Sequence, residues 1–211
     1  MPAGYSLKSL AELFDLPDLP KTGRDRLVVA AVELFYRNGF QAVGIDQVID
    51  KAGVTKTTFY KHFESKDDLM VAAVHRRDEW ESAAWARAVR KKVGEDPVAQ
   101  LLGVFDVMDL WFNDPDFRGC LFINTAVEFP NPHDPVHEAA AVHKRNARNG
   151  WRDQARAAGI TDAETFADEY TLLFEGALIL RQAHGRNDAA RLARAAVERL
   201  IKAHRPARAK R

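Results

Sequence analysis

Between the apolar anchors Val54 and Phe63 the chain concentrates hydrogen-bond donors: Thr55, Lys56, Thr57, Tyr60, Lys61 and His62, with Lys66 just beyond. Donors of this kind suit an acceptor-rich polyanion. A lysine reaches guanine O6 and N7 or a phosphate, and a threonine offers its hydroxyl to an acceptor and its methyl to thymine. Tyr60, His62 and Lys66 suit phosphate oxygens, contacts that fix register without reading sequence. By composition alone the stretch also fits a solvated helix face. The elements around it decide between the two.

Those elements read as helices. Leu27, Ala30, Ala31, Leu34 and Phe35 recur at spacings of three and four, and Gly39 can end that helix in a left-handed cap. Ile45, Val48, Ile49 and Ala52 form a second, short stripe, after which Gly53 supplies a tight turn. Thr55 caps a third helix that turns Val54, Phe59 and Phe63 inward and Lys56, Thr57, Tyr60 and Lys61 outward. Ser65 with Asp68 is a capping-box-like start for a long helix reaching about Val93, which adds backbone N–H groups beside Lys66. Two short helices joined by Ala52-Gly53-Val54 make a helix-turn-helix layout over about 44–63, whose second helix would enter a DNA major groove. Local charge agrees: from Lys21 to Lys66 eight Lys or Arg face five acids, against a net +1 for the whole chain.

The stretch "RDRLVVAAVELFYRNGFQAVGIDQVIDKAGVTKTTFYKHFESKDDL" resembles the DNA-binding domain of tetracycline-repressor-type (TetR) regulators. The resemblance covers about Thr22 to Trp80 and implies DNA contacts at Lys56, Thr57, Thr58, Tyr60, Lys61, His62 and Lys66; Thr58 enters on that basis. One departure is Gly44-Ile45, where the family often opens the second helix with Thr or Ser, so a phosphate contact there falls to backbone N–H groups. "RGCLFINTAVEFPNPHDPVHEAAAVHK" resembles one subgroup with a GCLFIN-type sensor helix, some of whose members repress multidrug-resistance genes. What the resemblance implies is a repressor that binds a palindromic operator as a homodimer and is released by a small-molecule effector, with no cofactor.

The remaining punctuation yields an all-α chain of about nine helices with no convincing strand. Asp96-Pro97 and Asp134-Pro135 open helices, Thr161 with Glu164 forms a capping box, Gly185 stops the next helix and Asn187 caps the last. The domains expected are an extension at 1–20, the DNA-binding domain at 21–81, a ligand-binding and dimerisation domain at 82–205 and a basic tail at 206–211, which could serve as a non-specific phosphate-binding arm. The Tyr170–Leu180 stretch is apolar nearly all round. Pairing it with the Leu192–Leu200 helix and their symmetry mates would bury it in a four-helix bundle, which a charge at Leu178 would disrupt.

An effector pocket should be apolar with a few polar groups. Phe105, Met108, Trp111 and Phe112 on one helix, Phe122, Asn124, Thr125 and Glu128 on the next, and Trp151 and Phe174 beyond are the candidates. Asn124 and Glu128 would be its polar anchors, while aromatics at helical spacing equally make a core. His133, Asp134, His137 and His143 form a loose zinc-like cluster, but His137 and His143 are six apart, on nearly opposite helix faces, and no metal site is assigned. Cys120 reads as a small buried cysteine or a thiol sensor.

Several classes are excluded. One cysteine permits no intramolecular disulfide, no apolar run reaches the ~18–20 residues of a membrane helix, and the N-terminal stretch lacks a secretory pattern, so a cytoplasmic protein is expected. No nucleophile elbow, phosphate-binding glycine loop or zinc-protease motif marks an enzyme. A helical interaction protein without DNA binding would leave the Lys56–Lys61 face unexplained.

Overall fold

A computed structural model of the protein describes residues 21–205. The extension at 1–20 and the basic tail at 206–211 lie outside the described residues. The described chain has nine α-helices and no strand: α1 (Gly23–Asn38), α2 (Ile45–Ala52), α3 (Lys56–His62), α4 (Lys66–Val93), α5 (Pro97–Phe112), α6 (Leu121–Glu128), α7 (Pro135–Ala157), α8 (Ala163–His184) and α9 (Ala189–His204). They gather into two units. One holds 21–84 and 120–144, the other 85–119 and 145–205. The α4 and α7 helices therefore each begin in the first unit and end in the second. The segment 120–144, which the sequence pattern groups with the C-terminal domain, packs with the N-terminal helices.

In the first unit α1 packs on α2 and α3, and Leu27, Ala31 and Phe35 of α1 and Phe59 of α3 are buried. Thr22 caps α1 by accepting the Asp25 N–H at 3.1 Å. Gly53 takes the left-handed conformation (φ 61°, ψ 41°) that the tight α2–α3 turn requires. Gly39 differs from the expected left-handed cap. Its φ of 80° is positive but its ψ of 164° extends the chain, because the turn leads directly to Phe40, which stacks on Phe35 at 4.8 Å.

In the second unit α9 packs on α8 and α5. Tyr170 is buried and donates its hydroxyl to the Leu101 carbonyl at 2.7 Å, and burial pushes the phenol well above its ordinary pKa. Asp96 caps α5 as expected, accepting the Ala99 N–H at 2.7 Å. Two other caps are corrected. Asp162, not Thr161, caps α8, accepting the Thr165 N–H at 3.2 Å. Glu164 cannot close a box because Arg148 and Arg156 of α7 hold its carboxylate at 2.5 and 3.0 Å. Asp188, not Asn187, occupies the cap of α9, and its side chain is held by Arg186 at 2.8 Å instead of by the helix. Leu178 is also corrected: it is 1% exposed within its own chain, so it belongs to the core and not to a surface awaiting a second copy.

Candidate nucleic-acid interface

The α3 helix has seven residues, too few to hold itself, and three features fix it. Thr55 Oγ1 accepts the Thr58 N–H at 3.1 Å. Phe59 is buried beneath it and meets Tyr60 edge-on at 5.1 Å. Phe63 closes the end, with the Arg24 guanidinium 5.3 Å above its ring. This leaves Lys56, Thr57, Tyr60, Lys61 and His62 exposed, with Tyr60 55% accessible despite its size. An aromatic phenol left outward beside two lysines is an arrangement suited to phosphate.

The expected residues are not equivalent. Lys56 Nζ lies 3.5 Å from Asp46 Oδ1 in α2, an exposed pair that nucleic acid can displace. Thr58 is half-buried: its hydroxyl is 3.0 Å from that of Thr55, and its methyl lies 2.9 Å from where a Cβ on Gly23 would stand. Thr58 therefore packs α3 against the start of α1. Lys66 is half-buried in the first turn of α4, which Ser65 caps by accepting the Asp68 N–H at 3.1 Å, while Asp68 accepts the Glu64 N–H at 3.1 Å. The α4 N-terminus thus adds partial positive charge beside the lysine.

At the start of α2 the Gly44 N–H donates to Gln47 Oε1 at 2.7 Å, so a phosphate contact there would fall to the other N–H groups of the first turn. Gln47 three residues after the cap is half of a capping box, and that spacing was the available signal.

The effector candidates fall in two groups. Phe105, Met108, Trp111, Trp151 and Phe174 lie in the second unit. There Trp151 stands 5.0 Å from Tyr170 and 4.8 Å from Phe174, Phe174 lies 6.3 Å from Phe105 and 6.1 Å from Trp85, and Trp85 meets Trp111 at 6.0 Å. Phe105, Met108, Trp111 and Phe112 are buried, whereas Trp151 and Phe174 are half-buried. Phe122, Asn124, Thr125 and Glu128 lie in the first unit on α6. Thr125 spends its hydroxyl on the Leu121 carbonyl at 2.8 Å. Glu128, expected as a ligand anchor, instead accepts backbone N–H groups from Phe40 and Gln41 at 2.9–3.1 Å.

The histidines take separate partners: His137 Nδ1 is 2.7 Å from the Phe129 carbonyl, and His143 Nδ1 is 2.6 Å from Asp78. Among the described residues no three His, Cys, Asp or Glu side chains are grouped to hold a metal. Cys120 is buried, with Lys144 Nζ 3.5 Å from its sulfur. No helix among the described residues is long and apolar enough to cross a membrane.

Residues 27–73 match the model for "Bacterial regulatory proteins, tetR family" and residues 97–197 that for "Tetracyclin repressor-like, C-terminal domain", together more than half of the chain. The HTH-type transcriptional activator FasR of Mycolicibacterium smegmatis is 43% identical over 53 residues, 25% of this chain and 24% of FasR. The HTH-type transcriptional regulator TcmR of Streptomyces glaucescens is 30% identical over 82 residues, 39% of this chain and 35% of TcmR. These matches span about a quarter and a third of the relatives' own lengths. The crystal structure of SCO4454, a TetR-family transcriptional regulator from Streptomyces coelicolor, superposes with a TM-score of 0.77 at 28% identity, covering 87% of this chain and 96% of that one.

Proposed function

The chain belongs to the bacterial tetR family of regulatory proteins, and from that premise we propose that it is a transcriptional regulator that binds double-stranded operator DNA through α3. The observation that carries this is the outward face of α3, where Lys56, Thr57, Tyr60, Lys61 and His62 stand exposed around a buried Phe59. In the proposed complex Lys56 and Thr57, at the N-terminal turn of α3, meet base edges. Tyr60, Lys61, His62 and Lys66 hold phosphates, and Thr58 keeps α3 against α1. The protein acts in the cytoplasm, where bacterial DNA lies, as a homodimer on a palindrome.

Release by a small organic effector is the second part of the proposal. Trp85, Trp111, Trp151 and Phe174 form the aromatic set that such a molecule would meet, with the half-buried Trp151 and Phe174 as its accessible members. The Gly119–Asn124 sequence supports placing the chain in the subgroup with a GCLFIN-type sensor helix. Repression is the proposed sign of regulation. FasR is named an activator, so a reporter assay must measure the sign.

The test is selection of bound fragments from genomic DNA, followed by titration of the recovered site. Lys56→Ala and Thr57→Ala are expected to lose on the order of 1–3 kcal/mol at particular base pairs and little elsewhere. Equal binding by both variants and wild type across all substituted sites would refute the assignment of this face.

A further inference from the structure

Glu128 is the last residue of α6. A carboxylate there opposes the partial negative charge of a helix C-terminus, so it does nothing for α6 itself. Its partners lie elsewhere in the chain. Oε1 accepts the Phe40 N–H at 3.1 Å, and Oε2 accepts the Phe40 and Gln41 N–H groups at 2.9 and 3.0 Å. Successive backbone N–H groups of this kind form a nest for an anion. Gly39 makes the approach possible: a Cβ there would lie 3.0 Å from Glu128 Oε1. Phe40 is buried between Phe35 of α1, stacked at 4.8 Å, and Phe129, edge-on at 5.6 Å.

The turn that Glu128 holds joins α1 to α2, and both of those helices pack on α3. The other end of α6 is also tied down. Phe122 lies flat on the His143 ring at 3.5 Å, and His143 is bonded to Asp78 of α4. Within the first unit α6 is therefore a two-turn strut with His143 of α7, itself hydrogen-bonded to α4, at one end and the α1–α2 turn at the other.

We propose that Glu128 is a positioning residue for DNA binding: its carboxylate holds the Gly39–Gln41 turn in the geometry that α3 needs. The proposal rests on the reading of α3 as the DNA-binding helix.

The experiment compares Glu128→Ala and Glu128→Gln of the full chain with wild type. Operator affinity is measured at a temperature where circular dichroism shows each folded, and amide hydrogen exchange is followed at Phe40, Gln41 and Phe59. Glu128→Ala is expected to weaken operator binding about tenfold, within the usual range of coupling between sites. Exchange should quicken at Phe40 and Gln41 while Phe59 stays protected.

A purely structural role would lower the melting temperature and leave the affinity of folded protein unchanged, and that result overturns the proposal. Glu128→Gln keeps the volume but turns one accepting oxygen into an amide donor facing the two N–H groups, and serves if the alanine variant does not fold; wild-type affinity with unchanged exchange in that variant refutes the proposal. Lys56→Ala and Lys61→Ala, measured alongside, report on the α3 reading separately, since neither touches the Glu128 contacts.

Discussion

Tyr60, Lys61 and Lys66 can be separated from Lys56 and Thr57 by what they do to binding. Phosphate contacts weaken binding to every sequence alike and carry its salt dependence. Lys66→Ala is expected to lower affinity for specific and random duplex together and to reduce the slope of log K against log salt by about 1. Tyr60→Phe should weaken both duplexes while leaving that slope alone, because it removes a hydroxyl and no charge; fluorescence anisotropy across a salt series checks both. Thr58 behaves differently. Its methyl packs where Gly23 has no side chain, so Thr58→Ser should cost on the order of 1 kcal/mol of stability, about one buried methyl. A urea titration reads that loss. The outward residues were legible in the sequence because helical spacing separates them from Phe59 and Phe63 on one short element. The environment of Thr58 was not, because its neighbour Gly23 belongs to another helix.

At the scale of the element, the caps decide where helices start, and sequence reading placed the near-local ones well. Thr55 caps α3 and Asp96 caps α5 as their spacing predicts. Thr55→Ala should cost about 1 kcal/mol by denaturant unfolding. Its effect on operator affinity should be larger than that of Thr57→Ala on random duplex, because α3 has only seven residues to hold its shape.

The start of α8 departs from its local pattern because Glu164 answers to Arg148 and Arg156 on α7, which no local window contains. Asp162→Ala is therefore expected to lower the melting temperature, and Thr161→Ala to leave it unchanged. The Thr165 hydroxyl and N–H hold the Asp162 carboxyl below its ordinary value, the Arg148 guanidinium does so for Asp168, and Arg186 does so for Asp188. A carboxyl with a depressed folded-state pKa adds stability in full above its unfolded value, about 3.9, and loses it as pH falls through the lower folded value. The melting temperature should thus drop on acidification below about pH 4. The drop should be shallower in Arg148→Met, and small in each case because these groups are exposed and screened.

At the scale of the whole molecule, Leu172, Ile179 and Leu192 remain 73%, 44% and 48% exposed on α8 and α9. Apolar side chains left outward on the two last helices support the proposed two-fold bundle. Leu172→Glu is expected to shift the protein toward monomer by light scattering while circular dichroism stays helical. Leu178→Glu should instead unfold the chain, since that residue is buried within it. The wild-type dimer should protect two half-sites about 34–36 Å apart, one helical turn or a multiple of it. An effector that takes the dimer from 99% to 1% competent must favour the released state by about 5.5 kcal/mol. Calorimetry with and without operator measures that difference, and Trp151→Ala should reduce it.

The sequence by itself determined the helices, the helix-turn-helix and the outward chemistry of α3, because each depends on residues three or four positions apart and on caps beside them. It also carried the family resemblance, whose motif lies in one unbroken stretch. What only the tertiary structure decided is where long-range partners take a side chain. Glu128 looked like a polar anchor on an apolar helix, and its carboxylate is held by the turn at Phe40, 88 residues earlier. Leu178 looked like interface and is core, while Leu172 on the same helix is outside. Periodicity states that a helix has an apolar face. It does not state which neighbour covers that face, since that follows from packing among elements whose sequence separation carries no signal in one chain.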